Sequence, residues 1–169
     1  MSLELPEVLT TARLRLPLIT PEDAAGMLAG RRRVSWHPDY PRQDDCDAAS
    51  MVKDGDPHAS WGPRHIVRAG DGTTIGSIGF FDAPTADADD APPETEVGYG
   101  LVREARGHGA VTEALRALLE QSDRLGVRVR ASVRPDNAAS LRVLATCGFT
   151  ELRGSNEDGE LVMARPVRA

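Results

Sequence analysis

Glu104-Ala105-Arg106-Gly107-His108-Gly109-Ala110 is the stretch on which the reading of this chain turns. Before it, about Glu94 to Val102 has the character of a strand. After it, Val111, Ala114, Leu115, Leu118, Leu119, Ser122 and Leu125 recur at helical spacing and trace one apolar face, closed by Gly126. Glycines between a strand and a helix let the backbone turn tightly and bring its N–H groups close to an anion. The helix start adds unpaired donors and partial positive charge, so the turn is suited to a pyrophosphate. No lysine follows the glycines as in a Walker loop, and the full dinucleotide fingerprint is missing. A plain glycine-rich helix entry is the competing reading of the turn alone.

Outward from the turn, the chain reads as β-α-α-β-β-β-α-β-α-β-β in one domain spanning 1–169. Leu14, Leu16 and Leu18 alternate with Arg13, Arg15 and Pro17, giving a strand over Thr11 to Leu18 with Pro17 near a sheet edge. Thr20-Pro21-Glu22-Asp23 starts a helix that should end near Gly30. A short helix is expected from about Asp44 to Asp54. Two strands around Arg64 to Ala69 and Thr73 to Phe81 flank the hairpin signal Gly70-Asp71-Gly72. Val127, Val129, Ala131 and Val133 mark another strand. Asp136 or Asn137 caps a helix that ends at Gly148, and two strands, about 149–153 and 160–165, close the chain.

Bulk properties narrow the class. At 169 residues the chain can bury a core without staples. A net charge of −6 argues against a nucleic-acid partner. The start Met1-Ser2-Leu3-Glu4-Leu5-Pro6 has neither a basic run nor an apolar stretch, and no segment is long enough to span a bilayer. The expectation is a soluble cytoplasmic protein with no membrane partner. Cys46 and Cys147, with His37, His58, His65 and His108, match no metal-ligand spacing, so no metal is expected. Cys147 reads as a buried, inert thiol.

Three blocks stand in order: Glu96-Val97-Gly98-Tyr99, then Arg106-Gly107-His108-Gly109 with Thr112-Glu113-Ala114, then Asn137-Ala138-Ala139-Ser140 running to Cys147-Gly148-Phe149. In these the chain resembles the GNAT superfamily of acetyltransferases, most closely its RimJ/RimL-like branch, over nearly its whole length. The resemblance implies an α/β fold with a mixed, mostly antiparallel sheet, flanking helices and a central splayed strand pair. It implies an N-acetyltransferase that takes its acetyl group from acetyl-CoA and passes it to a primary amine, on a protein N-terminus or a small molecule. The coenzyme pyrophosphate would be held by the backbone of Arg106, Gly107, His108, Gly109, Ala110, Val111 and Thr112. Backbone groups of Leu101 and Val102 would lie along the pantetheine arm, and Asn137, Ser140 and Arg142 would face the cofactor. Many members carry Gln or Arg where this chain has Glu104, a carboxylate that should point away from phosphate.

Amide formation from a thioester needs a neutral amine, and alkyl amines have pKa values of about 10. A base is therefore required. Glu96, recurrent as a base candidate in related enzymes, shares a strand face with Glu94, Gly98 and Gly100, opposite Val97, Tyr99 and Leu101. A solvated strand-end carboxylate is the alternative. Many GNAT enzymes have a tyrosine donor four residues before the Gly-Phe pair. Leu144 stands there, and the RimL-like branch offers Ser140 instead, whose alternative role is a helix cap. Trp36 and Tyr40 fall where the family roofs its acceptor groove. They are expected to contact substrate, with packing of the loops as the other reading. A non-catalytic acyl-CoA sensor on the same fold is the competing function. Oligomeric state is left open, a homodimer included.

Overall fold

The computed structural model describes residues 3–169; Met1 and Ser2, which begin the stretch read for a leader, lie outside the described residues. Eight strands form one sheet in the order β1-β2-β3-β4-β5-β6-β8-β7. These are β1 (Val8–Thr10), β2 (Leu14–Pro17), β3 (Pro63–Arg68), β4 (Thr74–Phe80), β5 (Glu94–Leu101), β6 (Arg128–Val133), β7 (Glu151–Ser155) and β8 (Leu161–Arg165). All neighbours are antiparallel except β5 and β6. The helices are α1 (Pro21–Leu28), α2 (Gln43–Ala49), α3 (Ala110–Arg124) and α4 (Ala138–Thr146). The architecture is the expected mixed α/β fold.

Local chemistry sets most element ends. Thr20 caps α1 by accepting from the Asp23 N–H at 3.1 Å, with Pro21 in the first turn. Ala114, Leu115, Leu118, Leu119 and Ser122 of α3 are buried against the sheet, as the periodicity requires. Gly126 takes a φ of 70° just past that helix, a left-handed C-terminal stop.

The N-terminal strand departs from expectation. Residues 8–17 form a hairpin, in which β1 pairs with β2 from Val8↔Pro17 to Thr10↔Arg15. Pro17 is therefore in the second strand of the sheet, and β1 is the edge. The alternation of Leu14 and Leu16 is genuine, because both are buried, but three-residue β1 is too short to show a period. The α2 helix stops at Ala49, five residues before the expected end, and β7 begins two residues late at Glu151.

Arg64 binds the N-terminal segment from within. It is fully buried and donates to the carbonyls of Pro6, Glu7, Leu16 and Ser60 at 2.8–3.2 Å. Burial lowers its pKa to about 10, so it stays charged near neutrality.

Candidate functional site

The site is built on a break in the sheet. Strands β5 and β6 pair only at Glu94↔Arg128, Thr95↔Val129 and Glu96↔Arg130. Past Glu96, β5 continues along β4 to Leu101, whereas β6 continues along β8 to Val133. A gap opens between them. The Val102 N–H reaches back to the Ile75 carbonyl on β4. By strand alternation, the peptide groups of Val97, Tyr99 and Leu101 then face the gap. The Leu101 carbonyl there accepts from Arg106 Nε at 3.1 Å.

Two clefts meet in this gap. One, of about 580 Å³, runs from β5 to the start of α3 and is lined by Leu101, Arg106, Gly107, Gly109, Ala110, Val111 and Thr112 on one side and Asn137, Ser140 and Arg142 on the other. The other, of about 500 Å³, runs towards Phe81, Met51 and Glu160 and contains Glu96. Arg42, Asp44, Tyr99, Asn137 and Ser140 line both.

The turn has the geometry of an anion site. Gly107 and Gly109 adopt φ values of 83° and 78°, which side chains resist. The α3 hydrogen-bond ladder begins with the Glu113 N–H on the Gly109 carbonyl. The amides of Ala110, Val111 and Thr112 thus precede the ladder at the positive end of a 15-residue helix. Glu113 does not oppose an anion there. Its carboxylate is turned to the β1–β2 side, where it accepts from the Arg13 N–H at 2.9 Å, Arg13 Nε at 2.8 Å and the Thr11 hydroxyl. These bonds outweigh partial burial and hold its pKa low.

Not every expected cofactor residue lies on this cleft. Val102 is fully buried and its N–H is spent on β4. His108 is exposed and lines a separate groove with Arg13 and Glu104 on the far side of the turn. Glu104 is itself largely exposed and meets His37 Nε2 at 3.1 Å.

In the second cleft Glu96 is held by Arg130 Nε and the Ser132 hydroxyl, both at 3.3 Å. Its neighbour Glu94 is occupied structurally by Arg128, Arg130 and Arg153. Burial opposes ionisation of Glu94, but Arg153 and Arg130 outweigh it and keep its pKa below the ordinary carboxylate value. Glu96 is therefore the less encumbered carboxylate of the pair, and the one on the cleft.

At the start of α4, Asn137 is the cap: its Oδ1 accepts from the Ser140 N–H at 3.1 Å. The Ser140 hydroxyl is not a cap. It lies 2.7 Å from the phenol oxygen of Tyr99.

Trp36 and Tyr40 are a correction. Both are buried, at 6% and 0% exposure, and neither lines the two clefts. They pack edge to face at 5.5 Å, and the Tyr40 hydroxyl bonds His65 Nδ1 at 2.7 Å. His65 Nε2 in turn meets Asp23 at 3.1 Å. These aromatics seal the irregular segment onto β3 and β4.

Sequence reasoning missed Tyr99, Arg42 and Phe81. Strand alternation turns Tyr99 to the face opposite Glu96; where the sheet splays, that face becomes a cleft wall. Arg42 and Phe81 cover β5. A Cβ on Gly100 would lie 2.3 Å from Arg42 Nη2, and one on Gly98 would lie 2.6 Å from the Phe81 ring. Alternating glycines in a strand are the signal for such close approach. Arg42 is fixed by the fully buried Asp45 at 2.9–3.0 Å, which also accepts from the Ser77 hydroxyl.

Among the described residues no group of His, Cys, Asp and Glu is arranged to hold a metal ion, and no helix is long and apolar enough to cross a membrane.

Solved structures share this fold over nearly the whole chain. An acetyltransferase from Agrobacterium tumefaciens is 21% identical, with a TM-score of 0.65 over 97% of this chain and 96% of that one. Mycobacterium smegmatis RimJ, in complex with CoA-disulfide, is 22% identical, with a TM-score of 0.66 over 95% and 88%. Ribosomal-protein-S5-alanine acetyltransferase from Vibrio fischeri is 16% identical, with a TM-score of 0.64 over 95% and 96%. At these identities the likeness is one of fold. No curated protein sequence matches the chain. The model of the acetyltransferase (GNAT) domain matches residues 13–150, and with most of its length so matched, the chain belongs to the GNAT acetyltransferase family.

Proposed function

We propose that this chain is an acetyl-CoA-dependent N-acetyltransferase of the RimJ/RimL-like branch, acting on a primary amine of a protein N-terminus or a small molecule. The observation that carries this is the meeting of two clefts in the β5–β6 gap. One ends on the anion-binding start of α3, the other holds Glu96, and both touch Ser140. The residues present fit coenzyme A: left-handed glycines, free helix amides and Arg106 for the pyrophosphate, and gap-facing peptide groups for the amide-bearing arm. Acetyl-CoA supplies the activated acyl group.

The protein's own residues divide the work. Glu96 takes a proton from the amine, directly or through one water. The Ser140 hydroxyl donates to the departing thiolate. A thiol is a far stronger acid than an alcohol, with the cysteine side chain at about 8.5, so the leaving group needs a hydrogen bond more than a strong acid. A cytoplasmic location belongs to the same reading and rests on the sequence.

The test is a screen of amine acceptors with acetyl-CoA, detecting released thiol, beside calorimetric titration of coenzyme A. Thiol release with any amine supports the reading. Coenzyme A binding without turnover on any acceptor gives the sensor reading, for which Leu144 in place of the usual tyrosine speaks. No binding overturns both.

A further inference from the structure

The hydroxyls of Tyr99 and Ser140 are 2.7 Å apart where the two clefts join, and both residues line both clefts. A phenol is the stronger donor of the two and an alkyl hydroxyl the better acceptor. Tyr99 therefore donates and Ser140 accepts. A serine hydroxyl has a single proton. With the Tyr99 side occupied by an incoming bond, that proton is directed elsewhere. The Ser140 N–H is already committed to Asn137, which fixes the first turn of α4 and hence the origin of the side chain. The direction left open is the cleft.

We propose that Tyr99 is a positioning residue that orients the Ser140 hydroxyl towards the thioester sulfur. This rests on the reading of the site above and adds a residue to it. Leu144 leaves α4 without a hydroxyl of its own at that position, and it is buried. A tyrosine on the facing strand, acting through Ser140, supplies the missing hydroxyl from the opposite wall. No proton leaves Tyr99 in this arrangement. The amine nitrogen bonds to the acyl carbon, the carbon–sulfur bond breaks, the amine proton passes to Glu96, and the sulfur keeps its electron pair while accepting the Ser140 hydrogen bond. Burial raises the Tyr99 pKa against the opposing effect of the Ser140 bond, which keeps the phenol protonated and able to donate.

The experiment measures the pKa of the bound coenzyme A thiol, by thiolate absorbance, in the wild type, Tyr99→Phe, Ser140→Ala and the double variant. It needs no acceptor and no turnover. In the wild type the bound thiol should titrate below the value of free coenzyme A measured in the same buffer. Tyr99→Phe should raise it by about half to one unit, the size of one hydrogen bond. Ser140→Ala should raise it at least as far, and the double variant no further than Ser140→Ala. With an acceptor in hand, kcat of Tyr99→Phe should fall about three- to tenfold at unchanged coenzyme A affinity. Equal thiol pKa values in wild type and Tyr99→Phe overturn the proposal. So do Tyr99 effects that persist in the Ser140→Ala background. If coenzyme A binds with this pattern but no amine releases thiol, the acetyltransferase reading fails while the Tyr99–Ser140 assignment stands. Absence of coenzyme A binding overturns both.

Discussion

Replacing Glu96 by Gln tests the assignment of the base with little structural disturbance. The amide keeps an oxygen to accept from Ser132 and Arg130, and Arg130 retains its 3.0 Å bond to Glu94. The lost ion pair is partly solvated, with side-chain exposures of 35% and 22%. Its removal should cost about 0–1 kcal/mol, or a melting shift of no more than about 2–4 °C for a chain of this size. Activity should respond far more. Without a base, the reaction depends on amine that is already neutral. At pH 7 that is about one molecule in a thousand for an alkyl amine of pKa about 10, and about one in ten for a chain-terminal amine of pKa about 8. The deficit in rate should therefore be about 10³-fold for the first class and about tenfold for the second, against about 10²–10⁴-fold for general-base loss elsewhere. It should shrink about tenfold per pH unit up to the amine pKa. The assay is a pH–rate profile of both proteins with one acceptor, under conditions where pre-steady-state traces show chemistry to be limiting. Equal rates at pH 7 would refute the argument and make Glu96 a structural carboxylate.

Other expectations follow from the same geometry. Ala at Gly107 or Gly109 forces a side chain into left-handed backbone at about 1–2 kcal/mol, with space for the Cβ itself. Calorimetry should show coenzyme A affinity reduced at least about tenfold while the protein stays folded, and unchanged affinity in both variants would remove the turn from the site. Gly100→Ala should push Arg42 off Asp45, lowering stability by about 1–3 kcal/mol as an overpacked site; a urea midpoint equal to wild type would contradict the close contact. Burial lowers the His65 pKa, with partial relief from Asp23. The unfolded chain then binds the His65 proton before the folded one, so stability should fall as pH drops below about 6.5 and level off at the lowered pKa. Melting temperatures that are flat from pH 7 to 5 once Asp and Glu effects are subtracted with a His65→Asn control would count against it.

Local signals were legible wherever one residue type satisfies one local need. The Thr20 cap, the apolar face of α3 and the glycine turn each follow from neighbours in sequence. Contacts between distant segments were not. The edge strand β1 is three residues long and carries no period. Arg42 caps α2 and Asp45 lies in its first turn, but their roles are set by Ser77 and Gly100, which folding alone brings to them. Substrate contact by Trp36 and Tyr40 was an expectation of the family resemblance, in a segment with no periodicity of its own to place its aromatics. The Trp36 N–H bonds within its own segment, to the Arg33 carbonyl, while the flanking backbone is clipped to Thr74 through Ser35 and His37. Tyr99 was hidden by a sound rule: strand alternation puts it on the face opposite Glu96, and the splay of β5 from β6 changes what lies on that side.

That splay also bears on how the molecule comes apart. Strands β1–β5 and β6–β8 are joined in the sheet by three residue pairs, so the amides bordering the gap lack strand partners. Hydrogen exchange there should be fast in the free protein. A ligand arm laid between β5 and α4 would act as a substitute strand, slowing that exchange and bridging the two halves of the sheet. Ligand occupancy would then show both as local exchange protection along the gap and as a later unfolding transition.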